Sequence, residues 1–168
     1  GANNLNMFVG VGGAWSAGAY TGTGVNVTGL KLGLAVFKET GGAARQWTAA
    51  KASANNASLI GVSGLTLVAS DVSVAINRAA SDSSVADFAA QNLTIQTGTA
   101  GSPSTMVLDM AASLGALTQI SAAVDIDVFG SLLAHGTITL QKSSGTVSVG
   151  GSSINAGELL IGANNLNM

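Results

Sequence analysis

Leu30-Lys31-Leu32-Gly33-Leu34-Ala35-Val36 places an apolar side chain at every second residue. A period of two belongs to a β-strand with one apolar face. Slipping such a strand by one residue would turn its whole apolar set to the other side, so its register is strongly specified. The same alternation recurs in Val72-Ser73-Val74-Ala75-Ile76-Asn77, Val124-Asp125-Ile126-Asp127-Val128, Thr137-Ile138-Thr139-Leu140-Gln141 and Thr146-Val147-Ser148-Val149. The opposite faces carry Ser, Thr, Asn and Ala rather than charge. Between these runs, Lys38-Glu39-Thr40-Gly41-Gly42, the segment from Gly98 to Ser104 with Pro103, and Lys142-Ser143-Ser144-Gly145 read as hairpin loops. Short polar loops with glycine between alternating strands indicate antiparallel pairing. Ala111 to Ala123 is the one helix-compatible stretch, and its Ser, Thr and Gly weaken it.

The expected fold is therefore all-β: an elongated, mainly antiparallel sandwich or roll whose sheets run on from repeat to repeat. A β-solenoid is the alternative. At a strand spacing of about 4.8 Å, five solenoid coils would advance roughly 24 Å, and two sheets of about seven strands each roughly 34 Å.

Composition narrows the class. The chain has 168 residues, of which 8% are charged and 47% hydrophobic, with 23 glycines, one proline and no cysteine. An ordinary domain carries about 25% charged residues. The absence of cysteine excludes disulfide scaffolds, cysteine-ligated zinc and cysteine nucleophiles. A net charge of −2 gives no electrostatic footprint for nucleic acid. The mean hydropathy of +0.47 prompts a search for membrane spans. Met110 to Val124 is uncharged but about 15 residues long, short of the roughly 20 needed. Gly10 to Leu30 is longer but rich in Gly, Ser, Thr and Asn. Neither reads as a transmembrane helix, although strands of an outer-membrane barrel also alternate.

A duplication is the most informative feature. Gly1-Ala2-Asn3-Asn4-Leu5-Asn6-Met7 recurs as Gly162-Ala163-Asn164-Asn165-Leu166-Asn167-Met168. A cloning or cyclisation origin is one explanation. The sharper reading is one period of a tandem array, residues 1–161, followed by the start of the next, residues 162–168. Joined across the boundary, Leu159-Leu160-Ile161 runs through the heptapeptide into Phe8-Val9-Gly10 as one strand-like segment. The expected repeat junction comprises Leu5, Met7, Val9, Leu160, Ile161, Leu166 and Met168. A weaker internal likeness links Val27-Thr28-Gly29-Leu30-Lys31-Leu32 to Val62-Ser63-Gly64-Leu65-Thr66-Leu67.

The order Gly29-Leu30-x-Leu32-Gly33-Leu34-Ala35-Val36-Phe37-Lys38, Trp47-x-Ala49, Leu59-Ile60-Gly61-Val62-x-Gly64-Leu65-Thr66-Leu67 and Val72-x-Val74-x-Ile76-Asn77 resembles tandem repeat units of giant secreted bacterial surface proteins of the adhesin-like kind. Gly136-Thr137-Ile138-Thr139-Leu140-x-Lys142 and Ile161-Gly162-Ala163-Asn164 are similar to the same pattern. The resemblance implies an extracellular structural or adhesive role, not an enzymatic one. The calcium-roll nonapeptide Gly-Gly-x-Gly-x-Asp is absent.

Chemistry-bearing residues are sparse. His135 is the single histidine, with Ser131 and Asp127 nearby, but no Gly-x-Ser-x-Gly elbow surrounds a serine. Asp125 and Asp127 fall on one face of one strand. They are the only candidate metal ligands, for calcium, beside the plainer reading of a solvated face. Trp15, Tyr20 and Trp47 are candidates for stacking on sugar rings. Asn26, Asn56 and Asn92 open glycosylation sequons. No catalytic residue is assigned and no cofactor is required; an enzyme is not expected. The expected function is a structural protein forming an extracellular filament or surface fibre by end-to-end stacking of 161-residue β repeats. Its partners are neighbouring copies, with no nucleic acid and no membrane span. The alternative is an adhesin-type binding module displaying a carbohydrate or calcium site.

Overall fold

A computed structural model describes Gly1–Met168. The strands are β1 (Ala2–Ser16), β2 (Ala19–Lys38), β3 (Gln46–Ile60), β4 (Leu65–Arg78), β5 (Leu93–Gln96), β6 (Thr105–Leu108), β7 (Leu117–Val128), β8 (Leu132–Val149) and β9 (Ser152–Asn167). Seven of them form one sheet in the order β1-β2-β3-β4-β7-β8-β9, and β5-β6 form a separate hairpin. Every neighbouring pair in the large sheet is antiparallel. The sheet stays open, with β1 and β9 as its edges. The antiparallel all-β class is as the alternation implied. Parallel coils of a solenoid are replaced by hairpins. No helix is long and apolar enough to cross a membrane.

Turn chemistry explains the connections. β1 and β2 are joined by Ala17-Gly18, with φ of 51° and 84°, and β8 and β9 by Gly150-Gly151, with φ of 58° and 82°. Positive φ at both loop residues is the twist-compatible two-residue hairpin turn. The second of these corrects an expectation. Lys142-Ser143-Ser144-Gly145 is no loop: β8 runs through it to Val149, and the chain reverses at the glycine pair that follows. Ser143 is buried, and each residue of the segment has a partner on β9. Polarity alone did not break the strand, because Ser and Thr fit a pleated ladder as readily as a turn. The helix-compatible stretch holds a single 3₁₀ turn, Ala112–Leu114, before β7 begins. The internal likeness also divides: Gly29 sits mid-strand in β2, whereas Gly64 lies in the turn before β4.

The β5-β6 hairpin lies between β4 and β7 in sequence, although β4 and β7 are neighbours in the sheet. It folds over one face at β2 and β3. Ala35 packs on the core beneath it, and the Phe37 ring meets Phe88 in a tilted contact at 6.0 Å between ring centroids. The odd-numbered residues of this half of β2 therefore face the hairpin. Gly33 permits the approach, since a Cβ there would lie 2.9 Å from Met106 Cβ. The core comprises Ala49, Ala75, Phe88, Leu108, Met110 and Leu117. Hydrogen bonds seat the covering segment: Asn77 Nδ2 donates to the Ala86 carbonyl at 2.8 Å, and Phe88 N to the Met110 carbonyl at 2.9 Å.

The even-numbered residues of β2 face the other way. The register row Ala2–Leu32–Ala52–Val74–Ile120–Leu140–Ile161 crosses the whole sheet on this second face. It is apolar from end to end, yet its Ile120, Leu140 and Ile161 are exposed, as are Leu34, Val36 and Leu159 beside it on the same face. Only 12 of 168 residues are buried, which makes most of the sheet a single layer. A sheet with an apolar face is stable when another layer covers it.

Leu108 is fully buried at the centre of the small core. Leu108→Ala is expected to cost about 2–5 kcal/mol in urea unfolding. Gly33→Val is expected to cost about 1–3 kcal/mol by lifting β6 from the sheet. An unchanged unfolding midpoint for both would contradict this placement of the core.

Candidate functional site: the free edges of the sheet

The two copies of the heptapeptide form the two opposite edges of the sheet. Residues 2–7 begin β1, and residues 162–167 end β9. Their backbones match. Asn4 has φ of 53° and Asn165 has φ of 52°. Asparagine tolerates this left-handed region better than most residues. Each asparagine inserts an extra residue into its strand: the pairing slips between Ala2↔Leu32 and Leu5↔Leu30 in β1, and between Asn164↔Thr137 and Asn167↔His135 in β9. A bulge of this kind bends the strand and increases its twist. Gly29 (φ 63°) and Asp71 (φ 51°) lie at register slips of β2 and β4 as well.

Edge strands are ordinarily blunted by charge, proline or shortness. Here β1 is 15 residues long with no charge, and β9 is 16 residues long with Glu158 alone. Of the junction residues expected from sequence, Leu5, Met7, Val9, Leu160, Ile161 and Leu166 lie on these edges and Met168 directly follows β9; all seven are exposed. Sequence reasoning missed four further exposed apolar residues: Leu34 and Val36 on β2, and Leu132 and Leu133 on β8. They lie where each strand extends past the end of its edge neighbour, a relation that only the register reveals.

The aromatic candidates separate. Trp15 and Tyr20 are directly opposite in the β1-β2 hairpin, with centroids 4.6 Å apart edge to face, and Phe8 stacks on Tyr20 at 5.7 Å. Trp47 lines a cleft of about 460 Å³ with Phe37, Phe88, Asp87, Gln91 and Asn92. Its indole N–H donates to Ser84, to the carbonyl at 3.1 Å and to Oγ at 3.0 Å. The Arg45 guanidinium lies 5.1 Å from its ring centroid, within reach of a cation–π attraction. Arg45 also grips Glu39 with two nitrogens, at 2.7 and 3.1 Å, and Asp82 at 2.8 Å. These contacts raise the arginine's proton affinity and hold the Glu39 carboxyl below its usual range. The Ser84 hydroxyl, 2.6 Å away, together with Arg45, lowers Asp82 to about 2.

Asp125 and Asp127 are each already engaged. Asp125 pairs with His135 Nδ1 across β7 and β8, and Asp127 accepts from Gly130 N at 2.7 Å in the following turn. No cluster of three or more His, Asp and Glu side chains is assembled anywhere, so the pair has no further acidic ligand. Asn26 and Asn56 lie within β2 and β3, and Asn92 in the connection before β5. Compared with models of protein families, with curated proteins and with solved structures, the chain matches none of them.

The pKa of Asp82 is lowered in the fold, so its contacts stabilise the protein above the ordinary value of 3.8 and lose that effect as pH falls toward about 2. Asp82→Asn is expected to remove this part of the acid transition. Carboxyl chemical shifts followed from pH 5 to pH 1.5 would show whether Asp82 titrates near 2 or at its ordinary value.

Proposed function

We propose that this chain is a structural protein that builds an extracellular filament or surface fibre from 161-residue β repeats continued end to end. The observation that carries the reading is the pair of identical heptapeptides, which form opposite edges of one sheet with the same bulge at the same asparagine. Unpaired N–H and C=O groups along an edge recruit another strand unless something repels it. β1 carries no charge and β9 carries Glu158 alone, so charge offers little repulsion at either edge. The exposed apolar face adds a second surface suited to contact with other protein. In such an array each unit is stabilised by its nearest neighbours, and the partners are copies of the same repeat. The location follows from the resemblance to secreted surface repeats.

The Trp47 cleft favours a second reading, an adhesin-type module that binds carbohydrate. An aromatic wall with Asp87, Gln91 and Asn92 around it offers a stacking surface and hydrogen-bonding groups. Glycan-array binding that is lost in Trp47→Ala, with folding retained, would support it. No binding to any glycan would remove it.

Electron microscopy of the native material is expected to show filaments. Isolated compact particles with covered edges would overturn the structural reading. Leu160→Lys and Val9→Lys place charge on the two edges and are expected to shorten or abolish the filaments while leaving the core of each unit folded.

A further inference from the structure

Resting on the filament reading, we propose that consecutive units share a strand: β9 of one unit and β1 of the next are one continuous strand, in which the heptapeptide pairs with β8 on one side and with β2 of the following unit on the other. Four observations converge. Six antiparallel steps separate β1 from β9, so the two run in the same direction. Simple side-by-side stacking would therefore create a parallel pair in an otherwise antiparallel sheet, whereas sharing preserves the pattern. Equivalent residues also face the same way. Ala2 pairs with Leu32, and Ala163 pairs with Ile138, both on the face away from the hairpin. The register row from Ala2 arrives at Ile161, two residues before Ala163, and an even stagger keeps the faces matched.

The duplicated glycine adds an independent observation. A Cβ at Gly1 would meet the Gln96 carbonyl oxygen at 2.5 Å and the Leu32 carbonyl oxygen at 3.1 Å. A Cβ at Gly162 would meet nothing within 4 Å. Nothing around residue 162 requires glycine. The requirement appears when the same residue also serves as position 1 of the next unit, beneath its β5-β6 hairpin.

The shared strand predicts its own contacts. Extending the Ala2↔Leu32 register backwards sets Ile161 opposite Leu34 and Leu159 opposite Val36 of the next unit. Extending the His135↔Asn167 register forwards sets Phe8 opposite Leu133 and Val9 opposite Leu132 of the preceding unit. Seven of these eight apolar residues are exposed in the single unit, Val9 at 62%, Val36 at 63% and Ile161 at 69%. Each gains an apolar cross-strand partner from the junction. One unit then contributes six strands instead of seven, an advance of roughly 29 Å against about 34 Å for unshared stacking.

The test uses a chain of two consecutive units closed by residues 162–168. Leu159→Cys in the first unit with Val36→Cys in the second is expected to form a disulfide on mild oxidation, as is Leu132→Cys in the first with Val9→Cys in the second. A bismaleimide serves where sulfur spacing is too wide. The offset pair Leu159→Cys with Leu32→Cys, displaced by roughly 13 Å, is expected to react about tenfold more slowly. Gly162→Val is expected to suppress both in-register cross-links. Filaments of the unmodified material with an axial repeat near 34 Å, or in-register pairs no faster than the offset pair, overturn the shared strand and leave the filament reading standing. In-register cross-links in material that never elongates keep the shared strand and sink the filament reading.

Discussion

The backbone hydrogen bonds of a strand point to both sides, and at a sheet edge half of them have no protein partner. This constraint organises the molecule. Seven long strands are paired internally, most through short glycine-containing connections and β4 to β7 through the long segment that carries the β5-β6 hairpin, and the unpaired backbone groups fall on β1 and β9. Sheet edges are commonly blunted by lysine, proline, a bulge or shortness. This chain carries two long, nearly uncharged edges, each bulged at the same asparagine of the same seven residues.

Charge is spent elsewhere. Arg45–Asp82 and Lys51–Asp109 tie the covering segment to the β2-β3 hairpin, with Lys51 Nζ 2.9 Å from Asp109 Oδ1, and Glu39 holds Arg45 within the same loop. These pairs are partly exposed, and such pairs add little stability individually. Their effect is to orient the segment over Ala49, Ala75 and Leu117, where burial supplies the apolar contribution. Beyond that patch the sheet is one layer thick. A small core, two open edges and an exposed apolar face are the features from which the filament reading is argued.

Much of this was legible in the chain. The Leu30–Val36 alternation announced a strand, Lys38–Gly42 and Gly98–Ser104 announced connections, and the duplicated heptapeptide singled out the two ends of the chain. Other features were not. Lys142–Gly145 looked like a loop because serine and glycine serve turns and ladders alike; pairing with β9 on one side and β7 on the other decided the matter at Lys142. The Trp47 cleft draws on Phe37, Phe88 and Asn92, whose approach depends on a hairpin folding back over β2 and β3. No local period encodes that return.

By itself the sequence determined the antiparallel β character, the shortage of charge at both ends and the identity of the two heptapeptides, because alternation, composition and repetition are properties of neighbours along the chain. The tertiary structure alone decided that the copies lie on opposite edges, run in the same direction and face the same side. Direction and face depend on how many strands intervene and on where each bulge shifts the ladder. Those are counts accumulated across the whole sheet, and no single stretch of residues contains them.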